Sequence, residues 1–272
     1  MEIKYFCPRW GSTHLSFDRF LRKVRDAGYD GVEMSFSSEM DQVEKSEMLD
    51  GLTHYDLELI GQQWRTTDRN FNTHLYSFEK HLFKLCEGKP LFINSHTGKD
   101  YYTQSQNMTL INRAREISKE MGVKIIHETH RGRWSFAAHT TKEYLIKFSE
   151  IRLTLDISHW CNVAESLLED QEEAVAKAIY HTDHIHARVG FQEGPQINDP
   201  QAPEWKKVLD THLCWWDRVI ALHRQKGSDF LTITPEFGAP PYLPLLPFTK
   251  QPIVDQWDTN IFMMNLLTER WK

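Results

Sequence analysis

The sequence predicts an α/β protein, a closed (β/α)8 TIM barrel, and three observations carry that expectation. Short runs rich in β-branched and aromatic residues alternate with longer segments of helical spacing along the chain. Eight such strand–helix units in 272 residues leave roughly 34 residues for each, the size of one barrel unit. A doubly wound open sheet commonly announces itself with a glycine-rich phosphate turn, and no GxGxxG or GxxxxGK[ST] string is present.

The first strand is expected at IKYF (3–6). The helix FDRFLRKVRDAG (17–28) follows, with Phe17, Phe20, Leu21 and Val24 on one face and Gly28 as its stop. GVEMSF (31–36), LELIGQQW (57–64) and LFINSH (91–96) give strands two to four. TLINRAREISKEMG (109–122) repeats the helical plan and again ends in glycine. The strands VKIIHE (123–128), RLTLD (152–156) and DHIHAR (183–188) come next, with helices at EYLIKFSE (143–150) and EEAVAKAIY (172–180) between them. A long helix at 205–227 and the strand FLTITPE (230–236) complete the pattern. The loop 189–205 is long, with Gly190 and Gly194 as hinge candidates, and the proline-rich stretch 236–255 reads as an irregular cap. No linker or composition break divides the chain, so 1–272 reads as a single domain.

The formal charge of -6 argues against a nucleic-acid partner. Cys7, Cys86, Cys161 and Cys214 are scattered and form no CxxC pair, which fits a reducing compartment. No apolar window is long enough for a membrane helix, and no signal-peptide pattern opens the sequence. The expectation is a cytoplasmic protein with no membrane partner.

A parallel barrel gathers its chemistry at the C-terminal ends of its strands. Strand five ends in Glu128, strand six in Asp156, strand seven in His186 and Arg188, and strand eight in Glu236. In HTDHIHARVG (181–190), His184, His186 and Arg188 occupy alternate positions and share one strand face. Each residue alone has an ordinary explanation: a helix cap, a surface ion pair, a packed histidine. Together, three carboxylates at one mouth repel one another unless a cation joins them. Three oxygens and one nitrogen suit one divalent ion, Mn²⁺, Mg²⁺, Co²⁺ or Zn²⁺. Arg188 can meet an oxygen-rich substrate or pair with a neighbouring acid. Further candidates near strand ends are Phe6, Trp10, Glu33, Gln62, Gln63, Trp64 and His96, and His130, Arg131 and Arg133 follow Glu128.

The motifs HETH (127–130), DISH (156–159), HIHAR (184–188) and PEFG (235–238) resemble those of the xylose-isomerase-like TIM barrels, the sugar phosphate isomerase/epimerase family. The resemblance runs from the first strand to Glu236. It implies that Glu128, Asp156, His186 and Glu236 hold one divalent metal. It also implies that His159 contacts substrate; Arg188, His96 and Trp10 are further substrate-binding candidates from their places at strand ends. His184 would then support the site from one step deeper. Relatives often carry an arginine a few residues beyond the metal histidine, whereas here Arg188 is two on and position 192 is Gln, so substrate contacts differ.

The activity implied is a metal-dependent sugar isomerase or epimerase acting on a ketose or related polyol-carbonyl through an enediolate. Glu128 and Glu236 would serve as its acid–base pair. A lyase or dehydratase acting on a keto-inositol or keto-glycoside begins with the same proton abstraction and is the alternative. An endonuclease-IV-like repair enzyme needs more ligands; its only further D-x-H string, Asp210-Thr211-His212, lies mid-helix by pattern. A carbohydrate-binding barrel without catalysis would not need both glutamates beside a metal. The expected partner is a small-molecule carbohydrate, with a homo-oligomer compatible.

Overall fold

All eight expected strands form. They are β1 Glu2–Pro8, β2 Gly31–Met34, β3 Glu58–Gln63, β4 Phe92–Ser95, β5 Lys124–Glu128, β6 Leu153–Leu155, β7 Thr182–His186 and β8 Phe230–Thr234. In the computed structural model, which describes residues 1–272, they run parallel in sequence order. β8 pairs with β1, Ile3 beside Leu231 and Tyr5 beside Ile233, and the sheet closes on itself. The fold is the (β/α)8 TIM barrel.

Nine helices surround the strands: α1 Phe17–Asp26, α2 Gln42–His54, α3 Phe71–Glu87, α4 Gln104–Met121, α5 Ala138–Lys147, α6 Ser158–Ala164, α7 Glu172–His181, α8 Lys206–Lys226 and α9 Gln256–Arg270. The apolar spacing located α1, α4, α5, α7 and α8 but not the other four. α2 buries only Met48 and Leu52, so its stripe is thin. α3 buries His74 and His81 among its apolar residues, and α9 buries Thr259 and Asn260, which breaks their apolar period. α4 begins earlier than its apolar stripe because Thr103 and Gln106 form a capping box. α5 is likewise shifted toward the N-terminus, burying Ala138, Thr141, Tyr144 and Leu145, and the chain leaves it at Phe148.

Two packed regions result. The larger core lies between the strands and the helical ring and includes Phe20, Leu21, Phe78, Leu82, Ile93, Leu110, Leu153 and Trp216. Inside the barrel, Phe6, Ile60, Phe92 and Ile126 form a separate plug. Gly31 makes room for this plug: a Cβ there would meet the Phe6 ring at 2.4 Å. Above the plug the inward positions turn polar, so the apolar layer is the floor on which the mouth is built. No helix is long and apolar enough to cross a membrane.

Candidate active site

Successive strand ends bring Glu128, Asp156, His186 and Glu236 together. Their ligand-capable atoms all lie within 4.8 Å of one another, and all four residues are buried. Glu128 is the last residue of β5 and His186 the last of β7; Asp156 follows β6 by one residue and Glu236 follows β8 by two. Glu128 pairs with Thr154 and His186 with Thr234, so Asp156 and Glu236, two residues further on, share the same inward face and reach the mouth beside them.

Hydrogen bonds below this level fix the histidine. Both oxygens of Glu33, on β2, lie 3.0 Å from His186 Nε2, so that nitrogen carries the proton and donates. Asn94 Nδ2 donates to Glu33 Oε1 at 2.9 Å and to Glu128 Oε2 at 2.7 Å, tying the two layers together. Thr234 donates to Glu33 Oε2 at 2.6 Å. His184 lies beside it: Nδ1 donates to the Thr232 carbonyl at 2.9 Å, and its ring meets Phe92 edge-on at 5.3 Å. Glu33 is therefore the anchor of the site's histidine, a role the strand-end position alone did not reveal. The available signal was an acid inside the otherwise apolar strand GVEM.

With Nε2 committed to Glu33, His186 Nδ1 points into the carboxylates. It sits 2.9 Å from Glu236 Oε2 and 3.6 Å from Glu128 Oε2, yet no hydrogen bond satisfies it. Lone pairs facing lone pairs at this distance need a cation between them, either a proton or a metal. Burial opposes an imidazolium, but Glu236, Glu33 and Glu128 outweigh it and raise His186 well above its ordinary value. Burial likewise pushes the Asp156 carboxyl up to about 6, with Glu236 and Glu128 adding to it against the pull of Arg188. Burial works against ionised Glu128 too, but His96 and His186 hold its carboxyl well below the usual range. With His186 neutral, three carboxylates at mouth level face one guanidinium and leave two negative charges, which one divalent ion would balance; without an ion, a proton on His186 offsets one of them. The donor set of three carboxylates and one imidazole fits such an ion.

Arg188 is ion-paired with Asp156 and lies 3.5 Å from Glu236. Its Nε donates to Ser158 Oγ at 3.2 Å, its second amino group faces His159 Nε2 at 2.9 Å, and only an edge reaches the cavity. His159, expected to touch substrate, is fully buried behind that pair and is not on the cavity wall. Its ring packs against His130, which in turn packs against His96, at centroid separations of 3.9 and 4.4 Å. His130 and His96 do reach the cavity, and His96 Nε2 meets Glu128 Oε2 at 2.8 Å.

The cavity above the four residues measures about 430 Å³. Trp10, Trp64 and Tyr242 give it aromatic walls, and Gln62 reaches Glu236 Oε1 at 3.3 Å. The proline-rich cap folds back over the mouth and delivers Tyr242, which packs edge-on against Trp10 at 5.1 Å and covers Arg188 at 4.8 Å. Gly238 permits this arrangement, since a Cβ there would fall 2.0 Å from the Trp10 ring. No local pattern in 236–255 marked Tyr242. A larger cavity of about 580 Å³ lies alongside, between α1 and α2, but none of the four clustered residues lines it.

Asp210 and His212 lie in α8, away from the mouth. His212 is buried; its Nδ1 donates to the Val208 carbonyl at 2.9 Å and its Nε2 accepts from Gly190 N at 3.2 Å. Burial lowers it to about 4.

No protein-family profile and no curated protein matches the sequence. Solved structures do share its fold. A xylose isomerase domain containing protein from Salmonella typhimurium is 12% identical, with a TM-score of 0.65 over 98% of this chain and 96% of that one. A probable 3-DHS dehydratase involved in petrobactin synthesis from Bacillus anthracis is 17% identical, with a TM-score of 0.61 over 99% of this chain and 100% of that one. A family 2 AP endonuclease from Brucella melitensis is 12% identical, with a TM-score of 0.53 over 87% and 93%. The chain therefore shares the barrel fold of these proteins.

Proposed function

We propose that the protein is a divalent-metal-dependent isomerase or epimerase that acts on a ketose or related polyol-carbonyl. The observation that carries this reading is His186 Nδ1, buried and unsatisfied, facing the carboxylates of Glu128 and Glu236. Glu128, Asp156, His186 and Glu236 would hold the ion. When bound, it would supply Lewis acidity that acidifies the C–H beside a substrate carbonyl and stabilises the resulting enediolate.

The chain's own groups move the proton. Glu128 accepts its hydrogen bonds from Asn94 and His96 on Oε2 alone, which leaves Oε1 for a carbon-bound proton. Glu236 stands across the site with Gln62 on Oε1 and His186 beside Oε2. One carboxylate removes the proton and the other returns it. Trp10, Trp64 and Tyr242 present faces on which a sugar ring can stack.

A dehydratase begins with the same abstraction, and one of the structures that shares this fold is named a probable dehydratase. Turnover in D2O separates the two outcomes. A panel of ketoses, keto-inositols and keto-glycosides is incubated with wild type, Glu128→Gln and Glu236→Gln. Deuterium incorporation with the carbon skeleton intact supports isomerisation, and loss of water supports elimination. Wild-type rates from both variants on a true substrate contradict the acid–base assignment.

A further inference from the structure

We propose that the cavity contains an anion subsite built on Arg133, which takes a carboxylate or phosphate carried by the substrate away from its reacting end. The proposal deepens the functional reading above and rests on it for what binds at the other end of the same cavity.

Arg133 is 8% exposed and lines the cavity. Its guanidinium donates to three backbone carbonyls: Thr66 at 3.3 Å, Gly98 at 3.4 Å and Trp64 at 3.4 Å. These bonds are long, and no acidic side chain forms an ion pair with it. Three hydrogen bonds leave two of the five N–H donors free, Nε–H among them. Arg188, the other buried arginine at the mouth, has its charge met by Asp156.

A buried cation that no carboxylate contacts is costly unless something supplies a counter-anion, and Glu128 and Asp100 act on Arg133 only from beyond ion-pair distance. The carbonyls of the loops after β3 and β4 hold the guanidinium plane in place, so its free edge is preorganised. That edge suits the planar oxygens of a carboxylate or the face of a phosphate. Arg65 flanks it: it is exposed, bonded through Nε only to Ser35 Oγ at 3.1 Å, packed on Trp64 at 5.2 Å, and without an acidic partner. Arg9 also lines the cavity, but carbonyls of Ser12 and Leu15 at 2.8 Å hold both its amino groups. Arg133 and Arg65 thus give the cavity wall two cations without a contacting carboxylate, in the same cavity as Glu128 and Glu236.

The competing account is that Arg133 only staples three loops together. A staple affects stability but cannot sense the charge of a ligand. The test is titration calorimetry of the Mn²⁺-supplemented protein with gluconate, glucose 6-phosphate, inorganic phosphate and neutral sorbitol. Wild type is expected to prefer a charged probe over sorbitol by about tenfold or more. Arg133→Gln should erase that preference while sorbitol binding stays unchanged, and Arg133→Lys should restore part of it. Preference for gluconate identifies a carboxylate; preference for the two phosphates identifies a phosphate. If Arg133→Gln does not fold, Arg65→Gln, on an exposed side chain, carries the test with a severalfold loss for the charged probe only. Absence of any charge preference in wild type, or a preference that survives these substitutions, overturns the subsite. Metal content measured on the same samples keeps the two readings apart. One bound ion without anion preference sinks the subsite alone, and anion preference without bound metal sinks the metal site alone.

Discussion

Two aspartates of neighbouring strands, one half-buried and one fully buried, each meet an arginine, at opposite ends of the barrel, with opposite results. Asp183, at the floor end of β7, accepts from Arg152 Nε at 2.9 Å and from its amino group, and Lys124 Nζ lies 2.6 Å away. Burial pushes against its ionised form, but the two cations win and its carboxyl stays below the ordinary value. Asp156, at the mouth, also has an arginine, yet burial with Glu236 and Glu128 nearby pushes it up to about 6. The difference is a matter of charge supply. At the floor one carboxylate has two cations; at the mouth three carboxylates share one guanidinium. A floor pair of this kind is complete as it stands, whereas the mouth's carboxylates outnumber its one permanent cation and call for a further positive charge, from a proton on His186 or from a metal.

The largest effect should come from reducing the carboxylates at the mouth. Glu128→Gln or Glu236→Gln should lower turnover by about 10²- to 10⁴-fold, the usual worth of a positioned acid or base. Steady-state rates at saturating metal check this, and rates within tenfold of wild type would dissolve the mouth's catalytic half of the contrast.

The floor should respond in stability instead. Asp183→Asn strands Arg152, and since that arginine and Lys124 are partly exposed the cost should be about 2 kcal/mol, below that of a fully buried pair. The sign with pH follows from the lowered folded pKa. The stability Asp183 contributes is full above the unfolded value of about 3.9 and is lost as pH falls through the folded value below it. Urea unfolding of wild type and Asp183→Asn should therefore differ at pH 7 and converge by about pH 2. A constant gap across that range would mean that the variant acts through packing.

Asp156→Asn should cost the metal-free chain less, within about 1 kcal/mol, because the raised folded pKa makes this carboxylate a liability to the fold above its unfolded value and the buried Arg188 keeps Glu236 at 3.5 Å as a counter-charge. Equal losses from Asp156→Asn and Asp183→Asn would erase the difference between mouth and floor. The smallest effect belongs to the cap. Tyr242→Ala removes a ring over Arg188 at 4.8 Å and should cost about 0.5–1 kcal/mol, seen as a small fall in melting temperature.

The sequence disclosed the strands because each is a short run of β-branched or aromatic residues, and it placed four acidic or imidazole side chains at strand ends for the same reason. Helices were legible where an apolar stripe repeats, as in α1 and α4, and hidden where polar side chains are buried, as in α3 and α9. What lay beyond reach was the pairing across distance. Glu33 stands 153 residues before the histidine it anchors, and Tyr242 reaches the site from a segment without periodicity. His159 shows the same limit in reverse. Its motif lies at the mouth, but packing by His130 and Arg188 sets it behind the cavity wall.

The most direct test of the charge deficit at the mouth is metal content, with melting temperature measured with and without Mn²⁺, for wild type, Asp156→Asn and His186→Ala. The account predicts one divalent ion per wild-type chain and an upward shift of about 5 °C or more at metal in large excess over its dissociation constant. Both variants should lose the ion and the shift. A wild-type chain that binds no ion, or variants that keep it, would contradict the account.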